Sequence, residues 1–188
     1  TTDQIGVELL RELYDREPVA TRVIEVLSRE SWLTQPTIYE EEDPDAVTDF
    51  EEAWDALGQN LSGAGYYKTE QGSPVWDYLL RADILSGIGR FGVVLLGLDD
   101  GKIPNEPADG IDETGKKAGS GKEVKLLYLR VLDESLVNVS RFETDKKNPR
   151  YGMPTEYSIT LNRYSDVASG GLGLGLETMQ VHWSRVIH

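Results

Sequence analysis

The hydrophobic period of this chain changes once, near residue 90, and that change fixes its fold class. Before it, apolar residues recur at intervals of three and four, the spacing that gathers them on one face of an α-helix. After it, they fall in short β-branched runs separated by Gly, Pro and Asp, the pattern of strands and turns. Helices first and antiparallel strands second predict an α+β fold, with the helices packed on a mostly antiparallel sheet. The helical part spans about 1–90 and the β-rich part about 91–188, and the two read as one domain.

Ile5, Val7, Leu9, Leu10 and Leu13 predict a first helix over 3–15, capped by Asp3. Pro18 suits the first turn of a second helix, whose apolar set over 19–33 is Val19, Val23, Ile24, Val26, Leu27 and Trp32. Two prolines and the run Glu40-Glu41-Glu42-Asp43 make 34–45 an extended, solvated connection. Val47, Phe50, Trp54, Leu57 and Leu61 predict a third helix over 46–61, loosened at its end by Gly58, Gly63 and Gly65. Ser73 as N-cap, Pro74 behind it and Asp77 in the first turn open a fourth over 73–87. Strands follow at 91–98, 124–132, 136–142, 157–161 and 178–186. Between the first two, residues 99–122 hold five Gly, two Pro and many charges, and predict a flexible insertion. Gly170 to Gly175 reads as a hairpin-like connection. The apolar stretch from Val181 to His188 is strand-like where domain ends are usually polar. We therefore expect the chain to be a piece of a longer polypeptide.

Composition removes whole classes of function. With 188 residues, 39% of them hydrophobic, the chain can bury a sizeable core and is not wholly disordered. Its 33 acidic residues against 19 Lys and Arg give a net charge of −14. Such a surface repels phosphate backbones and disfavours tight nucleic-acid binding, while suiting a protein past which DNA must move without sticking. The absence of Cys rules out disulfides, thiol catalysis, Cys zinc sites and iron–sulfur clusters. The only histidines, His182 and His188, cannot build a His-rich metal site. No apolar run reaches the ~20 residues of a membrane span, and no signal-peptide pattern occurs.

Four motifs invite chemistry, and each has a plainer reading. Gly87-Ile88-Gly89-Arg90-Phe91-Gly92-Val93-Val94 has the spacing of a kinase phosphate loop. A helix precedes it, however, and no Lys follows on the strand, so close backbone packing at a helix-to-strand junction explains the glycines better. Gly115 to Lys122 resembles a Walker loop but has Lys116 where a Gly belongs and Glu123 where Ser or Thr belongs. His182 and Ser184 sit two apart on an expected strand, on the same side, and could share a hydrogen bond. Without a nucleophile elbow this favours a structural pair over a hydrolase dyad. Asp99-Asp100-Gly101 and Asp109-Gly110-Ile111-Asp112-Glu113 lack the ligand spacing of a calcium loop and read as solvated turns. No cofactor or metal is expected.

The order of segments is itself informative. A helix ending Glu30-Ser31-Trp32-Leu33 leads to an acidic connection. A helix from Leu79 through Ser86-Gly87-Ile88-Gly89-Arg90-Phe91-Gly92 runs into Val93-Val94-Leu95-Leu96. Then come Leu129-Arg130-Val131-Leu132-Asp133-Glu134-Ser135, a turn with Tyr151-Gly152-Met153-Pro154 leading to Tyr157, and a final His182-Trp183-Ser184-Arg185-Val186. From about residue 15 to 188 this order resembles the portal proteins of tailed bacteriophages, with segment 99–122 as a variable departure.

The resemblance implies a wing-like N-terminal region of a longer, non-enzymatic subunit. It implies a homo-oligomeric ring of about twelve copies at a capsid vertex. DNA would pass through the ring without specific binding, during packaging and ejection. The implied partners are the terminase motor, the capsid or scaffolding protein and a head–tail adaptor; no membrane is involved. The implied locations are the virion and, during assembly, the host cytoplasm. Tyr151, Gly152, Pro154, Tyr157, His182, Ser184 and Arg185 then become structural or interface residues. Gly152 and Pro154 would supply turn chemistry, and His182, Ser184 and Arg185 would pin the last strand to a neighbouring segment or subunit. Two other readings stay open: a hydrolase using His182 and Ser184 or a carboxylate pair, and an acidic adaptor that binds a protein partner. The ring reading predicts exposed apolar patches on an isolated copy.

Overall fold

A computed structural model describes residues 5–34, 36–40, 47–61, 74–111, 124–162 and 176–188. It contains helices α1 (Val7–Arg16), α2 (Pro18–Ser31), α3 (Asp49–Leu61) and α4 (Pro74–Ile88). Six strands follow: β1 (Gly92–Asp99), β2 (Lys125–Asp133), β3 (Val137–Phe142), β4 (Pro154–Asn162), β5 (Leu176–His182) and β6 (Val186–Ile187). The fold is α+β, as the change of period predicts. Helix α1 begins later than expected: Gly6, in an extended conformation, holds its cap position without a side-chain bond. Asp3, Ser73, Gly63, Gly65 and the stretches 41–46, 112–123 and 163–175, with the Walker-like run and the Gly170–Gly175 connection, lie outside the described residues. Pro18 opens α2 as expected. A capping box the sequence reading missed starts α3: Glu51 N–H donates to Thr48 Oγ1 (3.3 Å), and Thr48 N–H donates to Glu51 Oε2 (3.4 Å).

The strands form two antiparallel three-stranded sheets rather than one, in the orders β2-β1-β6 and β3-β4-β5. The chain crosses between them twice: at Asp133–Leu136, and at a 3-10 turn over Trp183–Arg185. The single strand expected over 178–186 is therefore two strands in different sheets. The turn is made locally, since Ser184 N–H donates back to His182 Nδ1 (3.3 Å) and breaks the extended run. Between the sheets lies the larger core, with Val93, Leu95 and Leu132 from one and Val137, Tyr157, Ile159 and Val181 from the other.

Strand β1 is covered on both faces. Successive side chains alternate across a strand, so Val93 and Leu95 face the second sheet while Gly92 and Val94 face the helices. Val131, opposite Val94 in the ladder, joins the second core of Tyr14, Ile84, Leu85 and Ile88, with Leu10, Ile24 and Leu80 at its edge. The molecule is thus three layers: helices, sheet, sheet. This packing accounts for the glycine-rich motif. A Cβ on Gly92 would stand 2.6 Å from the Ala82 carbonyl oxygen of α4. One on Gly89 would stand 2.7 Å from Glu134 Oε2, and one on Gly87 would stand 3.2 Å from Ile24. Close approach of neighbours, not phosphate binding, needs these residues.

The helical layer is covered on its inner side only. On α2, Ile24 and Ser28 turn inward, while Val19, Val23 and Leu27 are 76%, 66% and 75% exposed. On α1, Leu10 and Tyr14 turn inward, while Leu9 and Leu13, with Ile5 just before the helix, are 50%, 43% and 62% exposed. Helix α3 is held by a ladder of rings: Phe50, Trp54, Trp76 and Trp32, with successive centroids 6.3, 5.4 and 6.0 Å apart. Such pairs add about 0.5–1.5 kcal/mol beyond burial.

Candidate functional site

The residues that the sequence singled out meet at one end of the second sheet, around the crossing at Trp183–Arg185. Arg185 is 4% exposed and its partner, the Asp100 carboxylate, is shielded completely, with Nη2 2.6 Å from Oδ2. Arg185 Nε also donates to the Glu106 carbonyl (3.0 Å). Ser184 Oγ accepts from the buried Ala108 N–H (2.8 Å) and lies 2.9 Å from His182 Nδ1. His182 N–H donates to the Pro104 carbonyl (2.9 Å). Three positions of the final segment, His182, Ser184 and Arg185, therefore fasten the loop that follows β1. Within the loop, Asp100 accepts from Lys102 N–H and Asp109 N–H (each 3.1 Å), and Lys102 Nζ pairs with Asp109 Oδ1 (3.2 Å). The segment expected to be a flexible insertion is tied down over 100–111, and Asp99 is the last residue of β1. The reason is a buried ion pair between residues far apart in sequence.

The turn residues join the same cluster. Arg150, Tyr151, Gly152 and Met153 form a turn closed by Met153 N–H to the Arg150 carbonyl (2.8 Å). Gly152 has φ +80°, the left-handed value a type II turn requires at its third position. Tyr151 and Met153 are exposed, and Pro154 begins β4. Arg150 links the turn to the crossing: its guanidinium lies 3.4 Å from the centre of the Trp183 ring, and Nη2 donates to the Pro154 carbonyl (3.1 Å). Burial pulls Arg150 down from the usual arginine range. Tyr157 is buried in the sandwich core, and its hydroxyl shares a 2.9 Å hydrogen bond with His188 Nδ1. Burial pushes this phenol up, with Arg150 opposing, so it stays neutral at physiological pH.

Electrostatically the cluster is closed. Burial pushes the Asp100 carboxyl up, but the hydrogen bonds from Asp109 N–H, Arg185 and Lys102 N–H outweigh it. The group is held below the usual carboxylate value. Its lone pairs are thus already engaged by protein donors. Among the described residues no group of three or more His, Asp or Glu could hold a metal ion. Ser184 is buried and its hydroxyl is engaged by Ala108 and His182, a poor arrangement for a nucleophile that must meet a substrate. An open depression of about 450 Å³ lies beside His182 and Trp183. A larger groove of about 700 Å³ runs along β3, walled by Val137, Val139, Phe142, Phe91 and the first turn of α1.

Sequence reasoning singled out His182, Ser184, Arg185 and the turn but missed the residues they hold. Asp100, Ala108, Arg150 and Trp183 complete the cluster. Only Arg185 offered a signal, as a lone cation in an apolar run that would need a buried acid. No protein-family model and no curated protein matches the sequence. None of the described helices is long and apolar enough to cross a membrane.

Proposed function

We propose that this chain is the wing region of a phage portal subunit: a non-enzymatic, ring-forming structural protein at the capsid vertex through which DNA is packaged and ejected. The carrying observation is the pair of apolar stripes on α1 and α2, six large side chains left in water by the lone chain. Contiguous apolar surface of this kind marks protein–protein contact. The order of segments from the second helix to the His182–Arg185 crossing supports the family. The net charge of −14 supports a wall that repels DNA rather than binds it, screened over about 8–10 Å at moderate salt. The motor, the capsid or scaffolding protein and a head–tail adaptor are the proposed partners, and the virion the proposed location. The hydrolase reading draws no support from Ser184, whose hydroxyl is buried and engaged.

The test is the oligomeric mass of the full-length gene product, by light scattering with negative-stain imaging. A closed ring of about a dozen subunits with a central hole is the expected result. A stable monomer at all salt concentrations would count against the ring and favour an adaptor that uses the same apolar face for one partner.

A further inference from the structure

We infer that the uncovered face of α2 docks on the uncovered face of α1 of a neighbouring copy, in a head-to-tail contact. The inference rests on the reading of the chain as a ring subunit and names the surface that joins the ring. Val19, Val23 and Leu27 stand at four-residue intervals on α2, as do Ile5, Leu9 and Leu13 on and just before α1. Each stripe spans nine residues, eight helical rises or about 12 Å, so the two match in length.

Charge selects the pairing. The exposed charges of α2 are Arg22, Arg29 and Glu30, one positive in sum. Arg29 holds Glu25 (2.6 Å), while Arg22 has no ion pair among the described residues. The exposed charges of α1 are Glu8, Glu12, Asp15 and Arg16, two negative in sum. Glu12 holds Arg16 (2.5 Å), while Glu8 has no ion pair among the described residues. Packing α2 on α2, or α1 on α1, brings surfaces of like net charge together. Packing α2 on α1 sets Arg22 near an acidic flank and buries both stripes. Residues 5–33 carry four arginines against six acids, so this hairpin is nearly neutral on a chain of charge −14. A second copy therefore meets little of the chain's repulsion on this surface. A contact between two different faces is heterologous and closes into a ring when its rotation divides the circle.

The test uses the full-length chain. Arg22→Glu and Glu8→Arg should each reduce the assembled fraction at least tenfold by light scattering, with the melting temperature unchanged. The double variant should recover assembly to within a few-fold of the parent. Because the chain has no Cys, Leu9→Cys combined with Leu27→Cys should give a ladder of disulfide-linked multimers on mild oxidation, and neither single variant should cross-link. Dimers from Leu27→Cys alone would overturn the contact in favour of a two-fold one. Rings that form regardless of these charges would overturn the contact and leave the ring. A parent chain that stays monomeric would overturn both.

Discussion

The strand half and the helical half solve the burial problem differently. The two sheets face each other and exclude water from Val93, Ile159 and Val181 completely, with both crossings between sheets latched by buried polar groups. The helices bury one side on β1 and β2 and leave a second apolar side open. Both halves leave apolar side chains in water, but those of the strand half, such as Leu127, Phe142, Met153 and Ile187, lie on separate strands and turns, whereas the helical ones line up as stripes. Buried polar pairs and packed side chains should therefore govern folding in the strand half. The outer helix stripes should govern association while hardly affecting folding.

The largest expected effect is at the latch. Arg185→Met leaves the Asp100 carboxylate buried without its cation and should cost about 3–5 kcal/mol in urea unfolding. Replacing both partners by apolar residues should cost less. Because the Asp100 pKa is depressed in the folded chain, its contribution is complete above about pH 4 and is lost as pH falls through the folded value. Comparison of unfolding at pH 7 and pH 3 should show this step in the parent and not in Asp100→Asn.

Ser184→Ala comes next. It strips the buried Ala108 N–H of its acceptor and should cost about 1–3 kcal/mol, with amide exchange at Ala108 reporting the loss. Gly152→Ala should cost roughly 1–2 kcal/mol by thermal melting. The added Cβ meets nothing within 4 Å, so the penalty comes from φ +80° alone. The smallest effect on folding belongs to the helices. Val23→Ser with Leu27→Ser should change stability by less than about 0.5 kcal/mol per site while abolishing association in light scattering. A large loss of stability there would erase the contrast between the halves.

The same contrast explains what the sequence disclosed. Helix and strand identity was legible because period is a local property: α2, α4 and β1 fall within a few residues of their expected ranges. The turn at Gly152 was legible because its φ is a one-residue demand. The second sheet was not, since nothing in Val181 to Val186 marks a change of sheet except a short-range bond from Ser184 to His182. The anchoring of 100–111 was hidden for a different reason. Its glycines and charges describe a solvated loop until Arg185, distant in sequence, supplies a buried partner. The stripes on α1 and α2 were visible as apolar periodicity, but periodicity does not tell which apolar face meets its own chain.

The second crossing also has a kinetic side. Strand β6 pairs Val94 with Ile187 and Leu95 with Val186, contacts between the start and the finish of the β-rich half. Loop-closure entropy makes such pairings late events in folding. During synthesis β1 can pair with β2 well before its other neighbour has been made. Until then one side of β1 presents unsatisfied amides and apolar side chains to the surroundings. Strand β6 therefore acts as the closing stitch of the first sheet, and conditions that delay its pairing should favour aggregation over misfolded but soluble monomer.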